Sequence, residues 1–384
     1  MTSRSLQACS AKAREWLLDA AFPFWFDKGI DPGRGGFVDL VGVDGTSVPN
    51  APKRTFVQAR QVYAFAMAGR LGWPGRWREA VATGLDTIER HCRHPEGGFI
   101  HRLDAKSAPD EMRRDLYDQA FVAFAKAHAA AALDRPALAD EARAIFADLD
   151  RDWLRPPAGY WEGELPDNAC RRQNPHMHLF EAALAIARTK WATDDDLARC
   201  NRLAHWFSDY FFERERAALP ESFDQSWAPV MDGGVFLVEP GHHFEWVWLL
   251  GELRALGGHD LTALGQQMWR FGDRHGIDRS HNVAIDEIDS AGRVRSSRAR
   301  LWPQTERIKA ALAMAEAQGS PELLAEAISA FEGLQPFLAT SVQGAFLDKM
   351  LPDGGFIAEP ARASSLYHIV CAYSELCRAA AGAA

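Results

Sequence analysis

The sequence is short of several things that would announce a function. Its six cysteines (Cys9, Cys92, Cys170, Cys200, Cys371 and Cys377) form no CxxC pair in 384 residues. Neither a disulfide framework nor a cysteine zinc site is therefore expected. Positive charge is not in excess. The formal net charge is −9, whereas nucleic-acid binding shows as a basic stripe or a high pI, and no polybasic segment suggests a membrane-surface anchor. No uncharged run approaches the roughly 18 apolar residues of a membrane span. Residues 1–22 carry a charge every few positions and lack the apolar region of a signal peptide, so a cytoplasmic location is expected. The phosphate-binding GxxxxGKS/T, a GxGxxG turn between strand and helix, the GxSxG nucleophile elbow and the HExxH zinc motif are all missing. Core-forming residues are not scarce: the chain is 47% hydrophobic and 25% charged, which excludes a disordered or collagen-like protein.

What is present is a repeat. A turn of small and aromatic residues recurs as GRGGFVDL (33–40), PEGGFIHRLD (95–104), PAGYWEGEL (157–165), DGGVFLVE (232–239) and DGGFIAEP (353–360). A degenerate copy lies in NVAIDEIDSAGRVRS (282–296). One glycine from each, at 36, 98, 159, 234, 292 and 355, gives a step averaging about 64 residues, a period typical of repeat architectures. Between the turns, RTFVQARQVYAFAMAGRLG, DLYDQAFVAFAKAHAAAAL, NPHMHLFEAALAIARTK, HHFEWVWLLGELRALG and PQTERIKAALAMAEAQG place apolar residues three and four apart, the helical period. Each is followed by a second helical stretch, so the unit is two helices plus a short hairpin. Six such pairs could stack as an open solenoid or close on themselves. A solenoid needs polar end repeats, and the end turns here are as apolar as the middle ones. The expected fold is all-α, an (α/α)6 barrel with short β-hairpins at one end. No Pro/Ser-rich linker or charge block divides the chain, so residues 1–384 are expected to form one catalytic domain.

Histidines and acids gather at the starts of these helices. In NPHMHLFEA, Asn174, His178 and Glu181 share one helical face, while His176 lies about 200° around from His178. In PGHHFEW, His242 and Glu245 share a face and His243 points about 100° away. His368 opens the last helix, and Arg60 and Tyr117 occupy matching helices. In a closed barrel the starts of all inner helices converge on one mouth. A buried arginine needs partners, so Arg60 is expected to face Glu245 or another acid. HxH with a distant Glu and His resembles a metal ligand set, but the divergence of His176 and His178 argues against it, and no metal is expected. Trp302 in RLWPQTER, with Glu306 one helical turn beyond it, is read as an apolar floor for a sugar ring.

Together these segments resemble the N-acylglucosamine 2-epimerase superfamily, which includes mannose isomerases, sulfoquinovose-type aldose–ketose isomerases and cellobiose 2-epimerases. The resemblance covers nearly the whole chain. It rests on Phe56–Arg60, YDQAF, NPHMHLFEA, PGHHFEW, WPQTE and the terminal Tyr367-His368. It implies an (α/α)6 barrel and a cofactor-independent isomerase interconverting an aldose and a ketose of the mannose–fructose type. In that resemblance Arg60 binds substrate oxygens near C1 and C2. His178 orients the substrate and is tied to ring opening, with Asn174 one turn before it. His242 and His368 are the acid–base pair, Glu245 is the carboxylate beside His242, and Trp302 contacts the ring. Phe56, Tyr117 and Glu306 complete the expected substrate contacts. Phe56 stands where the isomerases often carry tryptophan. Ser364-Ser365 stand where relatives active on free sugars often carry Lys or Asp.

The chemistry suits these residue types in its own right. Aldose–ketose isomerisation removes the C2 proton, passes through a cis-enediol and returns a proton at C1. Imidazole, with a pKa near 6.5, can act as base in one copy and acid in another, and an arginine can stabilise the developing oxyanion. Alternatives remain at this point: a sugar 2-epimerase of the N-acylglucosamine or cellobiose type, or a mannose-6-phosphate isomerase with Ser364 and Ser365 donating to phosphate at a helix start. From a different class, an (α/α)6 glycoside hydrolase or lyase could draw its paired carboxylates from Asp115, Asp118, Glu245 and Glu306; a sugar-binding protein without turnover is also conceivable. The partner expected is a monosaccharide substrate, with no nucleic acid and no membrane; exposed outer helices could also pair two copies as a homodimer.

Overall fold

The computed structural model describes residues 2–382 apart from 47, 49 and 166–169. The chain opens with α1 (Thr2–Glu15), a π-helical turn and α2 (Phe22–Gly29). Pairs follow: α3 (Thr55–Arg70) and α4 (Trp77–His91), α5 (Leu116–Leu133) and α6 (Pro136–Asp152), α7 (Gln173–Ala187) and α8 (Asp194–Trp206). The last are α9 (Pro240–Ala255) and α10 (Thr262–His275), α11 (Leu301–Gln318) and α12 (Pro321–Leu338), then α13 (Ala363–Gly382). Local signals set the ends: proline opens α6, α9 and α12, a Thr193–Asp196 capping box opens α8, and left-handed Gly319 closes α11.

Helices α3, α5, α7, α9, α11 and α13 each pack on the next, and α13 returns to α3, closing an inner ring. Helices α4, α6, α8, α10 and α12 each cover the inner helix before them, and α1 covers α13. The two classes differ in sequence for this reason. From Thr55 to Ala68 every residue of α3 is buried, whereas α4 buries only the face bearing Trp77, Ala80, Val81, Gly84, Thr87 and Ile88. A helix buried all round has no solvent-facing polar stripe, and polar residues that α3 does bury, among them Gln58, Arg60 and Gln61, each bond to protein groups inside. This is the (α/α)6 barrel expected from the repeat. Among the described residues no helix is long and apolar enough to cross a membrane.

At the N-terminal end of the inner helices, short antiparallel pairings link each unit to the next. Lys53–Arg54 pairs with Arg102–Leu103, Asp115 bridges Gly163, and Arg171–Arg172 pairs with Ser222–Phe223. Leu237–Val238 then pairs with Ile288 and Asp289, Ala299–Arg300 with Lys349–Met350, and Ala361–Arg362 with Leu40–Val41, completing the circle.

The turn after each outer helix carries a residue of positive φ: Gly36, Gly98, Gly159, Ala217, Asn282 and Gly344. The count of six stands, but three members differ from the expected copies. The glycines at 234, 292 and 354–355 lie in separate hairpins, held by Asp232–Val235, by Glu287–Asp289 against Val294–Ser296, and by Met350–Phe356. Five of the six turns are fastened by the fourth residue of an inner helix. Gln58 accepts the Phe37 N–H and donates to its carbonyl, both at 2.7 Å. Gln119 does the same for Phe99, and Gln304 for Ala284. His176 Nε2 accepts the Tyr160 N–H at 3.0 Å, and His243 Nε2 the Leu219 N–H at 2.9 Å. The two histidines that diverge from the pocket are therefore turn fasteners.

Candidate active site

The inner helices start at one mouth, and contacts between their first turns run round it without a gap. Arg60 on α3 donates to the Tyr117 hydroxyl on α5 at 2.6 Å. The Tyr117 ring meets the His178 ring of α7, with centroids 5.1 Å apart. Asn174 on α7 lies 2.9 Å from His242 on α9. The indole of Trp302 on α11 stands between the rings of His242, at 4.9 Å, and His368 on α13, at 5.7 Å. Arg60 then reaches the Ser364 carbonyl at 3.2 Å, which closes the circle. Every residue expected at the site from the sequence lies on this ring or directly against it: Phe56 packs on Tyr117 at 5.2 Å, Glu306 holds His368, and Glu245 lies beside His178. Gly241 makes room for the indole, since a Cβ there would sit 2.5 Å from the Trp302 ring.

The three histidines have different partners and different charges. His242 Nδ1 is 2.8 Å from Glu221 Oε2. Burial opposes its charged form, yet Glu221 and then Glu239 more than offset this and hold its pKa up to about 9. His178 Nδ1 lies 3.0 Å from Glu181 Oε2. Burial there outweighs the carboxylate and pushes the pKa down to about 4. His368 Nδ1 lies 2.8 Å from Glu306 Oε1, and burial, with Arg60 and Lys309 nearby, drives its pKa well below the ordinary value. At neutral pH the site thus holds one imidazolium and two neutral imidazoles whose Nδ1–H groups donate to carboxylates.

Two expectations about partners are corrected. Arg60 meets no carboxylate among the described residues; its guanidinium lies over the rings of Phe121 at 4.3 Å and Tyr367 at 4.8 Å. Cation–π attraction and two oxygen contacts hold it instead, while its Nε stays buried without a partner among the described residues. Glu245 is not the hydrogen-bond partner of His242. It sits deeper, 3.9 Å from His178, and burial together with Glu306 raises its carboxyl well above the usual range. Below the histidines, Lys309 is fully buried against Glu306 Oε2 at 2.6 Å and over the Trp248 ring at 3.7 Å.

Glu221, the residue that charges His242, was not among the sequence candidates. It stands in a loop, outside any helical pattern. The repeat held the signal: Asp39, Glu162 and Asp286 occupy the matching place in their units, each accepting the backbone N–H and side chain of an arginine that precedes an inner helix (Arg54, Arg172 and Arg300). Glu221 likewise accepts the backbone N–H of Glu239, at 3.1 Å. Glu239 has no cation to offer, which leaves the other oxygen of Glu221 for His242.

Asp115 caps α5, and Asp118 accepts from Phe56 N–H and His101, so neither stands free as a hydrolytic carboxylate. The Ser365 hydroxyl donates to Asp348 at 2.9 Å, whereas Ser364 gives only its backbone carbonyl to Arg60. Three clusters bring histidine and carboxylate atoms within 4.8 Å of one another: His178 with Glu181 and Glu245, His242 with Glu221 and Glu239, and His368 with Glu245 and Glu306. In each the nearer histidine nitrogen is a donor to a carboxylate. In two of them the Glu245 carboxyl is raised well above the usual range by burial and by Glu306.

Residues 35–372 match the profile of the family described as N-acylglucosamine 2-epimerase. A mannose-6-phosphate isomerase of Rhizobium meliloti (strain 1021) is 38% identical over 375 residues, covering 94% of this chain and 95% of its own. A D-mannose isomerase of Thermobifida fusca is 29% identical over 270 residues, 65% of either chain. Among solved structures, a cellobiose 2-epimerase from Bacillus thermoamylovorans B4167 superposes with a TM-score of 0.87 at 18% identity. It covers 97% of this chain and 99% of its own, a likeness of fold.

Proposed function

Since the chain belongs to the N-acylglucosamine 2-epimerase family, we propose that it is an aldose–ketose isomerase acting on mannose or mannose 6-phosphate through a cis-enediol. The observation that carries this reading is the pair of imidazoles in different charge states, one cationic and one neutral, on either side of the Trp302 ring. Neutral His368, its Nδ1–H given to Glu306, offers Nε2 as the base that takes the C2 proton. Cationic His242 gives its Nε2 proton to O1 as the C1 carbonyl becomes an enediol hydroxyl. In the second half the proton on His368 goes to C1, and the O2 hydroxyl proton goes to His242. The ketose is then complete and both imidazoles are restored.

Asn174 supports this cycle. Its Nδ2 faces His242 Nε2 while its Oδ1 is buried without a partner. Turned over, the same amide accepts from the imidazolium, so one side chain serves both charge states. Arg60 and Tyr117 stabilise oxyanion charge at C1 and C2, and His178, kept neutral, orients the substrate.

Chelator-treated protein incubated in D2O with D-mannose, and separately with mannose 6-phosphate, tests the reading by NMR. Fructose or its phosphate carrying deuterium at C1 supports it and selects the substrate; turnover that needs added metal overturns the metal-free proton cycle. Deuterated glucose without ketose makes the enzyme a 2-epimerase. No exchange into either sugar overturns the assignment. His242→Ala and His368→Ala should each lower turnover by roughly 10²–10⁴-fold, with helical circular dichroism unchanged.

A further inference from the structure

A large cavity lies away from the histidine mouth. It opens at the opposite end of the barrel, where the C-terminal halves of α3, α5, α7, α9 and α13 diverge, and it encloses about 810 Å³. Ligand sites commonly span about 300–1,000 Å³, so this is ample for a sugar. One wall is aromatic: Tyr63, Phe124 and His128 pack together with centroids 4.4–4.8 Å apart. Trp248 forms part of another wall, and Glu181 lies at the floor.

Two features define what such a site would take. The first is the state of its polar groups. His128 is held neutral, burial having pushed its pKa down to about 3, so one ring nitrogen is a donor and the other an acceptor. Among the described residues no protein hydrogen bond reaches either nitrogen. The second is the charge at the rim. Arg188 pairs with Glu252 at 2.5 Å, Arg378 with Glu316 at 2.8 Å and with Glu375 at 2.9 Å, and Lys190 with Asp134. Arg70 also stands at the rim, with only Met67 Sδ at 3.9 Å among the described residues. The lining cations Arg70, Arg188, Lys190 and Arg378 are nevertheless matched in number by Asp134, Glu181, Glu252 and Glu375, so the lining carries no net formal charge to select an ion. Flat apolar rings beside an uncommitted donor and acceptor suit a ligand with alternating C–H faces and hydroxyls.

We propose that this cavity is a second binding site, for an uncharged polyhydroxyl ligand of mono- to disaccharide size. The site would communicate with the catalytic mouth through a shared wall. Glu181, which lines the cavity, accepts from the Tyr367 hydroxyl and from His178. A ligand at the back is thus one carboxylate away from a histidine at the front.

Equilibrium dialysis of the His368→Ala protein against labelled D-mannose tests the proposal. Binding is read there without turnover, so its failure is distinct from failure of the isomerase reading. The expected result is two equivalents per chain. Adding Ala127→Trp, which fills the cavity, or His128→Phe, which keeps the ring packing but removes both nitrogens, should lower this to one. If the tryptophan variant loses its helical circular dichroism, the phenylalanine variant decides. No binding in the parent, or a stoichiometry that His128→Phe leaves unchanged, would overturn the proposal; a single equivalent lost in His128→Phe would place it in the cavity and count against the mouth as a mannose site instead.

Discussion

At the scale of single residues, the site works because neighbours set the charge of chemically identical side chains. His242 and His368 are both buried imidazoles beside a carboxylate, at 2.8 Å in each case. They differ because the carboxylates of Glu221 and Glu239 dominate around His242, whereas His368 has the cations Arg60 and Lys309 around it. A pKa near 9 means that His242 is the acid only below that pH, so turnover should fall as pH rises through 9. Glu221→Gln removes the main source of the shift. Its pH–rate profile should lose the alkaline limb about one to two units earlier; a limb that stays at pH 9 assigns the charge to another group. Gly241→Ala tests the indole between the histidines. The added methyl overlaps the Trp302 ring, and kcat/KM should drop roughly 10–100-fold while the melting temperature changes little.

At the scale of the element, each inner helix carries the same programme. Its second and sixth residues face the mouth: Phe56 and Arg60, Tyr117 and Phe121, Asn174 and His178, Gly241 and Glu245, Trp302 and Glu306, Ser364 and His368. These positions are four apart, one helical face, which is why most of the site could be read from the sequence once helix starts were assigned. The fourth position, turned away from the mouth, fastens a turn. What could not be read was the loop chemistry. A backbone in the left-handed region favours glycine, but Ala217 and Asn282 adopt it too, and so the repeat appeared to jump to unrelated DGG hairpins. Glu221 was hidden for the same reason, since its meaning depends on a register that loops do not display. The fastener predicts a graded response. Gln119→Ala leaves the Phe99 N–H and carbonyl buried and unpaired, at a cost of about 2–4 kcal/mol. Gln119→His should recover part of that in denaturant unfolding, because His176 and His243 do the same work in their units.

At the scale of the whole molecule, burial of many neutral histidines makes stability depend on pH. His128, His176 and His243 have pKa values near 3, and His178 near 4. In the unfolded chain each would titrate near 6.5. Between about pH 6.5 and 4 the unfolded state therefore binds more protons than the folded one, and stability is lost as pH falls. Carboxyls raised by burial work in the opposite direction, because their folded forms take up a proton before the unfolded ones do: Asp118 at about 6, Glu252 at about 7 and Glu245 well above the usual range. The histidine contribution is isolated by His128→Phe, which should shrink the loss of melting temperature between pH 7 and 4 relative to the parent; an equal loss in both would show that this imidazole is protonated in the fold. His242 has the reverse sign. Its contribution is complete below about 6.5 and disappears as pH rises through 9.

The circle of strand pairs also dictates an order of events. Leu40–Val41 can pair only with Ala361–Arg362, and Gln61 and Arg60 lean on carbonyls of residues 363 and 364. While the chain is being synthesised, the ring stays open at that seam until residues 361–364 have been made. The earliest helices must wait, with an unpaired edge and an uncovered apolar flank, for almost the latest ones. Contacts of such long sequence separation form slowly, and exposed edges invite association with the wrong partner. Nascent chains truncated before residue 361 should therefore aggregate or recruit chaperones, and the emergence of residues 361–364 is the moment at which both the barrel and its arginine come into register.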